Sequence, residues 1–150
     1  MFRHILLPID GSLPSKRAAK LAASLAREHH AKLTALHVMT PFSPAALSLD
    51  APTGPAELYS ERAYRGLARS RASKVLAKAK KAAMTAGVAC EGVAVEAAQP
   101  WSAIRRTARS RGCDLIVMGS HARRGLEKMW LGSETTEVLT HSTTPVLVCR

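Results

Sequence analysis

The sequence contains few aromatic residues, few cysteines and no cysteine pair with metal-binding spacing. Its 150 residues include two Trp, two Tyr, two Phe and three Cys. Three cysteines without a Cys-x-x-Cys motif predict neither a disulfide framework nor a thiolate metal site, and we expect them to act as small hydrophobic residues. The six histidines are scattered along the chain, so no metal site is predicted.

Long hydrophobic runs are also absent. No apolar run approaches the roughly 20 residues that a membrane-spanning helix needs. The first ten residues read as a strand pattern broken by Pro8 and Asp10, not as a signal peptide. We therefore expect a soluble, intracellular protein without a membrane partner. At 47% hydrophobic residues, the chain is expected to fold as one globular domain over residues 1–150.

Acidic residues are scarce, with 11 Asp and Glu against 22 Lys and Arg and a formal net charge of +11. This surplus raises the hypothesis of a nucleic-acid or membrane-surface partner. Many of the cations lie in two helical segments, 62–81 and 105–111, where they alternate with alanine and no aromatic stacking platform accompanies them. No specific nucleic-acid partner is therefore expected. A solvated basic helix face and a weak non-specific attraction to polyanions remain as alternatives.

Short apolar runs alternate with amphipathic segments along the chain. Residues 3–9 form an apolar run without strict alternation, which favours a buried parallel strand. A helix capped by Ser12 or Ser15 follows and ends near His29. The later pattern predicts strands at 31–39, at 88–97, from 114 onward and at 145–149, and helices at 57–86, 100–112 and 132–141. Helical periodicity places Leu67 on the inner face of the helix at 57–86.

Five strands that alternate with four helices predict an α/β fold with a doubly wound, mostly parallel sheet. Residues 40–56 interrupt this alternation with four prolines and predict a long flexible loop, either a lid or a linker. Ligands of such sheets bind beyond the carboxyl ends of the strands, where the winding direction reverses. With the strand order 3-2-1-4-5, strands one and four are neighbours at this switch point.

A glycine-rich stretch from Met118 to Ser133 follows the fourth strand and leads into the last helix. Its three glycines would let the backbone approach a ligand, and the N–H groups of a turn and of a first helical turn form a favourable anion site. Arg123 and Arg124 add positive charge. The alternative is a surface loop that needs three turn glycines.

Asp10 would face this glycine-rich stretch if strands one and four are neighbours. Its carboxylate could accept hydrogen bonds from ribose hydroxyls, hold a hydrated divalent ion, or only fix the turn. Ser133 could bond a phosphate or only cap the last helix. The stretch lacks the Gly-Lys-Ser/Thr of a P-loop, and no pair of carboxylates is recognisable as a base with a metal. A binding protein without catalytic residues is therefore predicted rather than an enzyme.

Five segments of the chain together resemble the universal stress protein family. They are His-Ile-Leu-Leu-Pro-Ile-Asp-Gly-Ser at the start, Leu-His-Val in strand two, Asp-Leu-Ile-Val-Met-Gly-Ser-His at strand four, Leu-Gly-Ser before the last helix and Pro-Val-Leu-Val-Cys-Arg at the end. The resemblance covers nearly the whole chain. It implies a doubly wound five-stranded sheet and a cytoplasmic homodimer in which the last strands, here Pro145 to Cys149, pair with each other. We expect antiparallel pairing, since an exposed edge strand invites a second copy.

The ATP-binding branch of that family has the signature Gly-x2-Gly-x9-Gly-Ser/Thr. In this chain the signature begins at Gly119 and ends at Gly132 and Ser133, with Ala122 at the second glycine position. An alanine there costs about 1–2 kcal/mol if the backbone is left-handed, and otherwise only narrows the approach of a ligand. Glu134, next to Ser133, could repel phosphates or help to hold a metal ion.

The resemblance implies that ATP, with or without Mg²⁺, is the ligand of this site. It assigns the contacts with adenine, ribose and phosphates to Pro8, Asp10, Val38, Met118, Gly119, His121, Arg123, Gly132 and Ser133. The expected function is that of a nucleotide-responsive dimeric switch in the stress response, acting on a protein partner that the sequence does not identify. The alternatives are a dimeric stress scaffold that binds no nucleotide and, third, a slow ATPase or phosphotransferase.

Overall fold

A computed structural model describes residues 1–43, 60–120 and 132–149 of the chain. These residues form five strands and four helices. The strands are β1 (His4–Pro8), β2 (Lys32–Met39), β3 (Cys90–Glu96), β4 (Leu115–Gly119) and β5 (Val146–Cys149). The helices are α1 (Leu13–His29), α2 (Glu61–Thr85), α3 (Pro100–Ser110) and α4 (Ser133–His141).

All five strands run parallel in one sheet with the order β3-β2-β1-β4-β5, which confirms the predicted topology. At its centre, Ile5 of β1 pairs in register with Leu33 of β2 and Leu115 of β4. β5 forms one lateral edge of the sheet, and its Leu147 is 38% exposed. Because the strands are parallel, their last residues all lie at one end of the sheet, the carboxyl end, and their first residues at the amino end.

Successive residues of the central strands point to opposite faces of the sheet and build two apolar cores. On one face, Ile5 and Leu7 pack against alanines of α1 and α2, and we call these two helices the α1/α2 layer. On the other face, Leu6 and Ile116 pack against α3 and α4, the α3/α4 layer. The small alanine side chains let α1 lie close to the strands that it covers.

The first helix begins where the sequence predicts. Ser12 is extended, and its Oγ accepts a hydrogen bond from the Ser15 N–H at 3.2 Å, which satisfies one of the free donors at the start of α1. At the other end, His30 adopts a left-handed conformation with φ +52°, and its N–H donates to carbonyl groups of the last turn. Local capping chemistry therefore fixes both ends of α1.

The predicted start of α2 at residue 57 is wrong. The helix begins at Glu61, because Ser60 is extended and its Oγ caps the helix by accepting a hydrogen bond from the Ala63 N–H at 3.1 Å. Leu67, which the periodicity places on the inner face, is 68% exposed. The alanines further along the helix, not Leu67, supply its buried face.

The three cysteines are free thiols. Burial raises the pKa of the Cys113 thiol to about 11, and it also raises the pKa of Cys90 and of Cys149. Thiols of this kind stay protonated near neutral pH and behave as small hydrophobic groups.

None of the helices in the described ranges is long and apolar enough to cross a membrane. Of the predicted Pro-rich loop, residues 40–43 follow β2 without regular secondary structure. The remainder of that prediction, residues 44–56, lies outside the described residues.

Candidate functional site

The carboxyl end of β1 leads into a tight turn. β1 ends at Pro8, and Oδ1 of Asp10 accepts a hydrogen bond from the Ser12 N–H at 2.9 Å. Gly11 has φ +86°, and a Cβ there would lie 3.1 Å from Cγ2 of Val75 on α2. The turn-fixing role of Asp10 is thus observed. Its side chain is exposed at the carboxyl end of the sheet.

A buried histidine fastens this turn to β2. His37 is 6% exposed, and its Nδ1 donates a hydrogen bond to the Ile9 carbonyl oxygen at 2.8 Å. The Ile9 N–H donates in turn to the Leu36 carbonyl oxygen at 2.8 Å. Val38 follows on β2 in register with Val95, and its partly buried side chain packs on the α3/α4 side. His37 is not among the predicted site residues, although a histidine inside an apolar strand is a usable signal.

Gly119 at the end of β4 lies directly against the first turn of α1. A Cβ at this position would be 2.4 Å from the carbonyl carbon of Pro14 and 2.7 Å from the backbone nitrogen of Ser15. Glycine is therefore required here by the packing of helix on strand, whether or not a ligand binds. Met118 is 5% exposed and its side chain lies in the core with α3 and α4, so that it can meet a ligand through its backbone.

Ser120 ties the carboxyl end of β4 to two other elements. Its N–H donates to the Cys149 carbonyl oxygen of β5 at 2.9 Å, and its Oγ accepts a hydrogen bond from the Gly132 N–H at 3.1 Å. Ser120 is only 4% exposed. The start of α4 is therefore held beside the end of β4. Ser120 is not among the predicted site residues, because nothing local in the sequence indicates a partner 12 residues away.

The amino terminus of α4 presents backbone donors at this same end of the sheet. Gly132 is its N-cap residue and has no side chain with which to cap, while the exposed Ser133 is the first helical residue. Backbone N–H groups of a first helical turn lack partners within the helix, and the helix dipole favours an anion beside them. This arrangement suits a phosphate group.

The carboxylate of Glu134 has a defined partner on α3. Its Oε2 accepts a hydrogen bond from the Trp101 N–H at 2.9 Å, at a helix start where Gln99 provides no side-chain cap. The Trp101 ring stacks on His141 with centroids 4.7 Å apart, and the Arg105 guanidinium lies 5.7 Å from its centroid. Glu134 therefore caps α3 and joins the two helices of the α3/α4 layer.

The amino end of the sheet is held by a carboxylate that accepts two backbone hydrogen bonds. Oxygens of Asp114 accept from the Arg3 N–H at 2.8 Å and from the His4 N–H at 3.0 Å. Burial raises the pKa of Asp114, but these hydrogen bonds and the Arg3 charge together outweigh it, and the net pKa is lowered. The charged form of Asp114 therefore stabilises the junction of β1 and β4.

A cavity of about 900 Å³ opens at the amino end, and three of its lining side chains, those of His4, Thr34 and Glu91, bond to neighbouring groups. His4 bonds through Nδ1 to the Arg111 carbonyl oxygen at 3.1 Å and through Nε2 to Oγ1 of Thr34 at 2.9 Å. The Arg111 guanidinium pairs with Glu91 at 2.7 Å. The side chains beside this cavity therefore form a network of bonds that connects neighbouring strands and the end of α3.

The structure brings most of the predicted site residues together at the carboxyl end. Pro8 ends β1, Asp10 lies in the turn after it, and Val38 lies on neighbouring β2. Met118 and Gly119 end β4, and Gly132 and Ser133 lie at the start of α4. His121 and Arg123, with Ala122 between them, lie outside the described residues. Within the described ranges no group of three or more His, Cys, Asp or Glu side chains could hold a metal ion.

The profile of the universal stress protein family matches residues 1–150. The chain belongs to the universal stress protein family. The universal stress protein YxiE of Bacillus subtilis is 35% identical over 150 residues, with both chains covered completely. The solved structure of the protein MJ0577 superposes with a TM-score of 0.77 at 26% identity and covers 99% of this chain and 96% of its own. A universal stress protein in complex with cAMP superposes with a TM-score of 0.70 at 25% identity, with coverage of 99% and 97%.

Proposed function

We propose that this universal stress protein binds ATP at the carboxyl ends of β1 and β4 and works as a cytoplasmic, nucleotide-responsive dimeric switch. One observation carries the proposal. The Asp10 turn, the glycine at the end of β4 and the side-chain-free cap of α4 meet at the point where the winding of the sheet reverses. Doubly wound sheets bind nucleotides at this position.

The groups at the site match the parts of ATP. Ribose hydroxyls are donors that suit the exposed Asp10 carboxylate, whose Oδ1 also holds the Ser12 N–H. Phosphates suit the first-turn N–H groups of α4 and the Ser133 hydroxyl. No carboxylate cluster in the described residues is built for a metal, so Mg²⁺, if used, would arrive with the nucleotide.

The remaining predicted contacts complete this assignment. We assign the adenine and ribose surroundings to Pro8 and Val38, and the floor of the glycine-rich stretch to the backbone of Met118. His121 and Arg123 are proposed as phosphate ligands, because both side chains can donate hydrogen bonds to an anion.

Glu134 does not oppose this proposal. Its carboxylate accepts a hydrogen bond from the Trp101 N–H at the start of α3, where the helix dipole favours a negative charge. The charge is thereby partly compensated by α3. The proposed phosphates would be held one residue earlier, at the backbone and hydroxyl of Ser133.

The relative in complex with cAMP supports the choice of an adenine nucleotide. That protein is similar to this chain over nearly its whole length, at 25% identity. ATP and cAMP share the adenine, the ribose and at least one phosphate, which are the parts that the carboxyl end of the sheet is proposed to recognise.

The dimer is proposed to form through β5, the edge strand whose Leu147 is 38% exposed. Ser120 offers a physical route from the nucleotide to this strand. The same residue holds Gly132 through its Oγ and Cys149 of β5 through its N–H. A nucleotide that shifts the start of α4 would therefore act directly on a residue bonded to the dimer strand.

Calorimetric titration with ATP, with and without Mg²⁺, tests the nucleotide proposal. We expect saturable binding below millimolar ATP. The Ser133→Ala variant should bind ATP about tenfold more weakly, because the hydrogen bond from the Ser133 hydroxyl to a charged phosphate is lost. Ser110→Ala on α3 is the control, because its Oγ donates only to the Thr107 carbonyl oxygen among the described residues. No binding at millimolar ATP would contradict the proposal and favour the nucleotide-free scaffold.

Sedimentation tests the dimer. We expect a dimer at micromolar concentration that Leu147→Glu converts to a monomer, because two carboxylates would be forced together across the paired strands. Leu139→Glu on α4 is a matched control, with 41% exposure against 38% for Leu147. A wild-type monomer, or equal loss of the dimer in both variants, would refute pairing through β5.

A further inference from the structure

Positive charge is distributed unequally between the two helical layers. The α1/α2 layer contains four Lys and Arg in α1 and eight in α2, against one Glu in each helix. The α3/α4 layer contains three Arg, all in α3, against two Glu in α4. Most of the basic surplus of the described helices therefore lies on one face of the molecule.

Four of the α2 cations form a single stripe. Arg71, Lys74, Lys78 and Lys81 are spaced at i, i+3, i+7 and i+10, which places them on one face of a helix over about 15 Å. All four are exposed. Lys80, about 200° around the helix from Lys78, lines a groove beside β3 instead.

The stripe lies on the side of α2 that faces away from β3 and toward α1. The two helices contact each other on the same face of the sheet. On α1, Lys16, Lys20 and Arg27 are exposed as well. The outer surface of the α1/α2 layer is therefore a continuous basic face built from two neighbouring helices.

Acidic side chains do little to compensate this face. Within residues 1–43, 60–120 and 132–149, the one ion pair of the α1/α2 layer joins Arg65 to Glu61 at 2.8 Å, nearly two turns before the stripe begins. Like charges three and four residues apart on a helix repel one another. An anionic partner that neutralises several of them at once would relieve this repulsion.

The absence of aromatic side chains indicates which anion fits. α1 contains no aromatic ring apart from histidine, and the single aromatic residue of α2, Tyr64, packs against Phe42 and donates its hydroxyl to the Thr40 carbonyl oxygen. Bases could not stack on such a face, so unstacked single strands gain little from it. A duplex, which presents its phosphates on the outside at one charge per roughly 1.7 Å of axis, requires only cations.

A lipid surface fits this face less well. Interfacial helices bury a continuous apolar side with Trp, Phe or Leu anchors. The exposed apolar residues of the two helices are scattered and form no such side. Leu67 and Met84 of α2 are about 25 Å apart along the helix axis, and Leu13 and Leu21 of α1 are about 12 Å apart.

We propose that the outer face of the α1/α2 layer, centred on the stripe Arg71, Lys74, Lys78 and Lys81, binds the phosphate backbone of double-stranded nucleic acid without reading its sequence. The binding is electrostatic and independent of the nucleotide site at the carboxyl end of the sheet. With four phosphate contacts, log Kd changes with log salt concentration with a slope of about 4.

Fluorescence anisotropy with a labelled duplex of random sequence tests the proposal on the full chain. The variant Arg71→Gln, Lys74→Gln, Lys78→Gln is compared with Arg105→Gln, Arg106→Gln, Arg109→Gln, which removes three exposed charges from α3 and has the same net charge. We expect the α2 variant to lose at least about tenfold in affinity at about 50 mM salt and to lower the salt slope by about 3. The α3 variant should stay within about twofold of the wild type.

Three results would overturn the proposal. Equal losses in the two variants would show that net charge, and no defined face, attracts the duplex. Wild-type binding without a salt slope would exclude phosphate contacts. Tight binding to phosphatidylserine vesicles without binding to the duplex would assign the face to a lipid surface. Circular dichroism of both triple variants checks that they are folded. Duplex binding by the milder single variant Lys78→Gln is measured as well, and this variant should lower the salt slope by about 1.

Discussion

The two ends of the parallel sheet use different chemistry. At the amino end, Asp114 and His4 are engaged with backbone and side-chain partners, and Arg111 pairs with Glu91. At the carboxyl end, Gly119 lies against the backbone of Pro14 and Ser15, and Gly132, whose N–H donates to the Ser120 hydroxyl, begins a helix without a side-chain cap. The amino end is therefore stabilised by side chains with defined partners, whereas the carboxyl end presents glycines and the backbone donors of a helix start.

The largest effect on stability is expected at Gly119. Gly119→Ala would place a Cβ 2.4 Å from the backbone of Pro14, so α1 or β4 must move, at a cost of about 3 kcal/mol in the free energy of unfolding. Urea denaturation measures this change. Gly66→Ala is the control: a Cβ there meets nothing within 4 Å, and the helical position should gain about 0.5–1 kcal/mol. Equal changes in both variants would show that helix and strand do not meet closely at the carboxyl end.

A smaller loss is expected at Ser120. Ser120→Ala removes the acceptor of the Gly132 N–H in a buried position, which should lower the free energy of unfolding by about 2 kcal/mol. It should also weaken ATP binding, because the start of α4 is no longer held beside β4. Denaturation and ATP titration of the same variant measure both effects. Lower stability with unchanged ATP affinity would show that the hydrogen bond between Gly132 and Ser120 stabilises the fold but does not contribute to the proposed site.

The amino end should respond to pH instead of nucleotide. The pKa of Asp114 is lower in the folded chain than its ordinary value, so its stabilisation is present above the ordinary value and is lost as the pH falls through the lowered one. Asp114→Asn should therefore lower the free energy of unfolding by about 1 kcal/mol near pH 7, where solvent weakens the interaction of this half-buried group. The difference between wild type and variant should vanish in acid. A difference that is independent of pH would contradict the role of the charged carboxylate.

The smallest effect is expected at Glu134. Because its carboxylate caps α3, Glu134→Gln should lower stability by about 0.5 kcal/mol and change ATP affinity by less than about threefold. Thermal denaturation and calorimetry measure the two quantities. A tenfold gain in ATP affinity would show that the Glu134 carboxylate repels the phosphates. The hydrogen bond to Trp101 would then not keep the carboxylate away from them.

The sequence predicts the fold well, because strand and helix periodicity, helix caps and turn glycines are local signals. The predicted start of α2 is wrong for a local reason too: Ser60 is extended, and its hydroxyl caps the helix that begins at Glu61. Periodicity also misplaced Leu67, since a long helix that buries only a narrow alanine face leaves larger apolar residues outside.

The candidate site is only partly readable from sequence. Asp10, Gly119 and Gly132 are recognisable from turn chemistry and from the resemblance to the family. The contacts that assemble the site are not, since Ser120 with Gly132 and Glu134 with Trp101 join groups 12 and 33 residues apart. Such pairs depend on how elements pack, which no local pattern encodes.

The most direct test of the nucleotide site is a two-dimensional NMR titration with ATP that follows backbone amides at both ends of the sheet. We predict saturable shifts at Asp10, Gly119, Gly132 and Ser133, together with unmoved amides at His4, Glu91 and Asp114. Absence of shifts at millimolar ATP, or shifts centred on the cavity at the amino end, would contradict a nucleotide site at the carboxyl end.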